Sequence, residues 1–271
     1  MKTQKKFDDT DYFAAKIHTQ DISTRVNENR FVSIIERENR SDLPKKTIQN
    51  ISLGKQLSSI IGWKGIQMLK DPFDIVLYQM LLWELKPRTI FEFGAYCGGS
   101  ACWMGDLLNN YGIDGHIYSV DIDLSLLDEK AKHNKVSFIE GDCNAVEQLF
   151  SRDFLMTLPH PWIVIEDAHT NLVDLLDYFH ENGIVSGDYV IVEDTNPIIP
   201  VTSGFSTKDD MGAEYGLDKM NEVNQFLHLH PDNYLVDTFY TDMFGYNTTW
   251  NWNAFLKRQE NTNGKRGRYP F

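Results

Sequence analysis

Five short runs rich in Val, Ile, Phe and Tyr lie between residues 89 and 195: TIFEF, HIYSVDID, KVSFIEGD, PWIVIEDAH and DYVIVEDT. A polar break follows each run, and helix-length segments alternate with them. Parallel strands cannot be joined by tight turns, so this alternation predicts an α/β fold with a mostly parallel sheet flanked by helices. A helix expected over residues 217–228 precedes two more strand-like runs, YLVDTFY and MFGYNTTW, which brings the expected sheet to seven strands. In open sheets of this kind, ligands bind beyond the carboxyl ends of the strands.

The first run breaks into Gly94, Ala95, Tyr96, Cys97, Gly98, Gly99 and Ser100 before a helix-like segment resumes. A strand, a glycine turn and a helix in succession bring main-chain N–H groups close to a nucleotide-like ligand. The fingerprint G-x-G-x-x-G is not met, because counted from Gly94 its second glycine position holds Tyr96, with Cys97 next, so NAD is disfavoured. Acids close several of the runs, namely Glu92, Asp121, Asp142, Glu166 and the pair Glu193–Asp194, and these side chains are expected to converge along one edge.

The formal net charge is −13, and the basic side chains gather in residues 1–46 and 257–271, which leaves the middle strongly acidic. Such a surface repels phosphate backbones, which disfavours nucleic acid and suits a small molecule or a metal cation. Only Cys97, Cys102 and Cys143 are present, an odd number without C-x-x-C spacing. That argues against a disulfide framework and a structural zinc site, and it fits a reducing cytoplasm. No apolar run approaches the roughly 18 residues of a membrane span, and no apolar leader opens the chain, so a cytoplasmic protein without membrane contact is expected.

The expected organisation is an N-terminal helical appendage over residues 1–60, a main domain over 61–258 and a polar tail over 259–271. Within the main domain a first helix is expected over residues 75–85, after the breaks Gly62-Trp63-Lys64-Gly65 and Asp71-Pro72-Phe73-Asp74. The long loop over residues 196–216, with Asp209, Asp210 and Gly212, is expected to cover the site.

The stretch Glu92-Phe93-Gly94-Ala95-Tyr96-Cys97-Gly98-Gly99-Ser100 resembles the first motif of class I S-adenosylmethionine-dependent methyltransferases, and is close to that of the catechol O-methyltransferases. The wider pattern, WKG followed by DPFDIVLYQMLLWELKPRTIFEFG, VSGDYVIVEDT and the terminal FLKR, is similar to the cephalosporin hydroxylase and rhamnosyl O-methyltransferase family over roughly residues 60–258. The resemblance implies a Rossmann-like methyltransferase fold. Glu92, Gly94, Tyr96, Gly98, Ser100, Asp121, Asp142, Cys143 and Glu166 are then the expected contacts or supports of S-adenosylmethionine. Asp121 is placed to accept hydrogen bonds from the ribose hydroxyls, which a carboxylate does well.

Glu166 and the pair Glu193–Asp194 end consecutive runs. Three carboxylates at one edge repel one another, and an oxygen-ligated divalent cation removes that cost. The resemblance assigns Mg²⁺ to Glu166, Glu193 and Asp194, with Asp167 as the alternative to Glu166; register favours Glu166. His169 stands where the catechol enzymes carry a general-base lysine, and an imidazole suits that role near neutral pH. The implied activity is Mg²⁺-dependent methyl transfer to a hydroxylated small-molecule acceptor by a homo-oligomer. Trp250 and Trp252 are candidates to line the acceptor pocket. Two other classes stay open. One is an oxygenase component, which would need two histidines and a carboxylate on iron; the other is a non-catalytic partner subunit that binds S-adenosylmethionine.

Overall fold

A computed structural model of the chain describes residues 30–35, 62–168, 170–196 and 211–260. The chain divides into two compact units, Met1–Arg30 and Phe31–Phe271, and all the described strands and helices belong to the second.

The five apolar runs form β4 (Thr89–Phe93), β5 (His116–Asp121), β6 (Val136–Glu140), β7 (Trp162–Glu166) and β8 (Tyr189–Val192), all mutually parallel. Every residue of β4, β7 and β8 is buried, as a strand covered on both faces requires. Two more strands complete the far side, β9 (Tyr234–Asp237) and β10 (Phe255–Arg258), with β10 antiparallel to both β8 and β9. A two-residue strand β1 (Phe31–Val32), from the stretch expected to form an appendage, pairs with the outer edge of β9. The sheet therefore has eight strands in the order β1-β9-β10-β8-β7-β4-β5-β6, one more than expected.

One expected strand is not formed. In MFGYNTTW the chain turns instead, with Gly245 at φ 126° and Asn247 at φ 50°. The Asn247 side chain locks this turn, donating to Asn253 Oδ1 and accepting from Asn253 N, each at 3.0 Å. The strand appears instead at FLKR, which starts five residues after Trp250 and whose Phe255 and Leu256 are fully buried. At the end of YLVD, Asp237 stops β9 because its carboxylate accepts from Phe239 N at 3.1 Å and caps a one-turn helix.

Four longer helices flank the sheet: α1 (Pro72–Leu85), α2 (Gly99–Asn110), α3 (Leu172–Asn182) and α4 (Met211–Leu229). Helix α1 starts before residue 75 because Asp71 accepts from Phe73 N at 2.6 Å and Asp74 N at 2.8 Å, with Pro72 in the first turn. Lys86 ends it in the left-handed conformation ahead of Pro87. On the face of α3 and α4, Phe91 and Phe93 pack with Phe150, Trp162, Phe179 and Phe226. On the other face, Ile90, Ile163 and Ile191 pack with Leu77, Leu81 and Trp103 of α1 and α2. Full burial of each such side chain contributes roughly 1.5–3 kcal/mol. Among the described residues, no helix is long and apolar enough to cross a membrane.

A hairpin, β2 (Gly62–Trp63) with β3 (Ile66–Gln67), turns through Lys64 and Gly65, both at positive φ as a tight two-residue turn demands. Trp63 Nε1 and Lys64 Nζ each lie 2.6 Å from Asp106 Oδ2, which fastens the hairpin to α2.

Candidate active site

Strand order reverses between β4 and β7, whose ends lie side by side with Phe93 opposite Glu166. Such a switch point leaves a crevice at the carboxyl ends of the strands. The glycine turn lies on one side of it. Gly94 and Ala95 both donate to Val120 O, at 2.8 and 3.0 Å. Gly94 has φ +106°, and a Cβ there would stand 2.4 Å from Asp167 O, so only glycine passes between the two strand ends. Tyr96, at φ 44°, donates its main-chain N–H to Asp121 Oδ2 at 2.8 Å. Gly98, at φ +80°, opens α2 against Leu127, Ala131 and Phe138.

Glu92 is buried behind this turn, accepting from Ser100 Oγ and Ser119 Oγ, both at 2.5 Å. Burial pushes its carboxyl up, while Lys70 and the two hydroxyls pull it back. Across the turn, Asp142 accepts from Asn144 N at 2.9 Å. Cys143 beside it is buried, and its thiol is pushed up to about 12 by burial and then by Glu166, Asp121 and Asp142.

The expected ion-binding acids divide between two faces of the sheet. Glu166 pairs with Val192 in register, and Glu193 N continues the ladder to Glu166 O at 2.9 Å. Successive side chains alternate across a sheet, so Glu166 points toward α4 with Val164 and Val192, whereas Asp167 and Glu193 turn toward α1. Glu166 is fully buried, with Oε2 2.9 Å from Lys219 Nζ of α4 and Oε1 accepting from Ala168 N at 3.1 Å. Burial raises its carboxyl to about 7 although Lys219 opposes the shift.

On the other face, Lys70 Nζ bridges Asp167 Oδ2 at 2.9 Å and Glu193 Oε2 at 2.6 Å. Glu193 Oε1 accepts from Tyr78 OH at 2.5 Å. Burial, then Asp167, pushes Glu193 up to about 8, against the pull of Lys70 and Tyr78. Burial opposes the charge on Lys70, but Asp167, Glu193 and Glu92 outweigh it and hold this group well above the usual lysine value. It is an ammonium at neutral pH. Two further buried acids stand beside it. Asp71 is raised to about 6, chiefly by burial, and Asp74, raised by burial and then by Asp71, accepts from Trp250 N at 3.2 Å.

The structure therefore brings together Glu92, Gly94, Tyr96, Gly98, Ser100, Asp121, Asp142, Cys143, Glu166, Asp167 and Glu193 around one edge, with Asp194 next in the chain at φ 59°. It does not group Glu166 with Glu193 about one ion position. Among the described residues, no three His, Cys, Asp or Glu side chains form a metal-ligand group. His169, Asp209 and Asp210 lie outside the described residues, and Gly212 falls within α4. Trp250 and Trp252 are half-buried, and Trp252 packs edge-on against Tyr246 at 5.7 Å. Sequence reasoning missed Lys70, Tyr78 and Lys219. The available signal was the excess of acids at the strand ends, since buried carboxylates need cations or hydroxyl donors.

The family model described as Rhamnosyl O-methyltransferase/CmcI matches residues 55–259. The chain is 28% identical over 206 residues to rhamnosyl O-methyltransferase of Mycobacterium leprae (strain TN), covering 73% of this chain and 82% of that protein. Among solved structures, CmcI with Mg and SAM is 30% identical, with a TM-score of 0.56 over 73% of this chain and 76% of that one. CmcI with SAH is 27% identical, also at a TM-score of 0.56, over 82% of this chain and 95% of that one.

Proposed function

The chain belongs to the rhamnosyl O-methyltransferase/CmcI family, and from that premise we propose that it transfers a methyl group from S-adenosylmethionine to a hydroxyl oxygen of a small molecule. A sugar, a phenol or another natural-product intermediate fits as acceptor. The observation that carries the reading is the bend at Gly94–Gly98, closed by Tyr96 N–H on Asp121 at the switch point of the sheet. With Oδ2 engaged, Asp121 keeps Oδ1, approached by Asp123 N at 3.4 Å among the described residues, for vicinal hydroxyls of a ribose. The N–H groups of the turn suit the carboxylate of the methionine end, and Glu92, accepting from the Ser100 hydroxyl, braces the start of α2 from beneath.

The same proposal includes Mg²⁺ on the α1 side, held by Asp167 and Glu193 with Asp194. All three offer carboxylate oxygens, which suit this ion, and Lys70 Nζ already marks a point where Asp167 and Glu193 share one cation. Glu166 does not fit the role, because it is fully buried and neutralised by Lys219. When bound, the ion would supply positive charge that acidifies an acceptor hydroxyl.

The chain's own groups would do the rest. The glycine turn and Asp121 orient the methyl donor, and the carboxylate edge orients the acceptor. His169, three residues after Glu166 in the chain, takes the hydroxyl proton. The oxygen–carbon bond then forms as the carbon–sulfur bond breaks, and holding the three atoms in line supplies most of the acceleration.

The test is calorimetric titration with S-adenosylmethionine, together with mass spectrometry for small molecules that gain one methyl group. Asp121→Ala should weaken binding by about 1.5–3 kcal/mol through loss of a charged acceptor. His169→Ala should lower single-turnover methyl transfer by roughly 10²–10⁴-fold with binding unchanged. Equal affinity in wild type and the Asp121 variant would reject the site.

A further inference from the structure

We infer that Lys70 is a resident counterion of the carboxylate edge, and that in the ion-free protein its ammonium holds the position between Asp167 and Glu193 which a divalent cation takes when it binds. The inference rests on the reading of Asp167 and Glu193 as ion ligands.

The geometry is that of an exchangeable clamp. The Lys70 side chain is 4% exposed, and its Nζ lies 2.9 Å from Asp167 Oδ2 and 2.6 Å from Glu193 Oε2. Its backbone is fixed, because the next residue, Asp71, caps α1 through two main-chain bonds. Its four-carbon stem is flexible and carries a compact point charge. Glu193 has a second, independent anchor in Tyr78 OH on Oε1, from two turns further along the same helix. Asp167 is held through its own main chain, which donates to Phe93 O at 2.7 Å. Glu193 therefore keeps a side-chain anchor, and Asp167 its backbone position, when the ammonium withdraws.

The pair Lys219–Glu166 differs. Glu166 is 0% exposed and Lys219 also donates to Glu193 O at 3.2 Å, so that cation is built into the fold on the opposite face. Among the described residues, Lys70 is the lysine that stands between two acids of adjacent strand ends. Like charges a few ångströms apart in a buried setting oppose each other strongly, so ion and ammonium compete for the same oxygens.

The experiment measures Mn²⁺ binding to the full chain by electron paramagnetic resonance, with circular dichroism to verify folding. Lys70→Met removes the charge and keeps most of the stem, Lys70→Gln is the second neutral variant should the first fail to fold, and Lys70→Arg keeps the charge. The neutral variant should bind Mn²⁺ roughly tenfold more tightly than wild type, or gain binding that wild type lacks, whereas the arginine variant should not. Equal or weaker binding in the folded neutral variant, no binding in any variant, or an equal gain in the arginine variant would overturn the inference. The catalytic reading is checked separately: undiminished wild-type methyl transfer in excess chelator rejects Mg²⁺ dependence, whatever the variants do.

Discussion

Replacing Gly94 with alanine separates two costs that usually arrive together, because the protein supplies a matched control. Gly94 and Gly187 have nearly the same φ, +106° and +101°. A Cβ at Gly187 meets nothing within 4 Å, whereas at Gly94 it would lie 2.4 Å from Asp167 O and 2.7 Å from Asp167 C. Gly187→Ala should therefore cost only conformational strain, about 1–3 kcal/mol. Gly94→Ala should cost that plus overpacking of about 1–3 kcal/mol, since the obstacle is main chain and cannot swing aside. Urea unfolding of both variants at one pH gives the difference, expected near 1–3 kcal/mol, with unchanged slopes. The clash also pushes the Asp167 carbonyl away from β4, so S-adenosylmethionine affinity should fall in Gly94→Ala and not in Gly187→Ala, which lies at the other end of the strands before β8. Equal stability losses, or an unaltered affinity in Gly94→Ala, would refute the reasoning.

Lys219→Met leaves Glu166 buried without its cation and should destabilise the protein by about 3–5 kcal/mol, most of which the double variant Glu166→Gln with Lys219→Met should restore in urea titrations. Burial pushes the Cys102 and Cys143 thiols up to about 11 and about 12, so iodoacetamide at pH 8 should label half-buried Cys97 well before them in the native protein, and all three in urea. Burial, then the charges of His230 and Arg258, lowers His180 to about 4. The unfolded chain therefore binds a proton that the native one refuses between about pH 6.5 and 4, stability must fall as pH drops through that window, and His180→Gln should flatten the decline in the urea midpoint.

The parallel half of the sheet was legible because each strand is a mainly apolar, β-prone run with an acid at or next to its end, and β4, β7 and β8 are buried on both faces. Beyond β8 the signal weakens. MFGYNTTW carries aromatic residues at strand-like spacing, yet Gly245 and Asn247 bend it into a turn held by Asn253. FLKR ends in two charges, but between β8 and β9 it needs only Phe255 and Leu256 for its buried length, while Lys257 and Arg258 spread over Tyr189 and Tyr234. The two residues of β1 carry no pattern that a sequence can show.

Around the site, the glycine turn and its acids could be read locally because each belongs to a single strand-to-helix junction. The partners of Asp167 and Glu193 could not. Lys70 reaches acids 97 and 123 residues away, and Tyr78 one 115 away, so no window on the sequence contains both members of a pair. The relation of Glu166 and Asp167 to Glu193 turns on one residue of register: Glu166 pairs with Val192, so Asp167 and not Glu166 shares a face with Glu193. The sheet resolves the surplus of acids by sorting them by pleat and giving each face a lysine from its own covering helix layer. Glu166 meets the rigid partner in α4, and Asp167 and Glu193 meet the one at the head of α1. Two acids thus share one ammonium on the α1 face, whereas on the other face one acid has a lysine to itself.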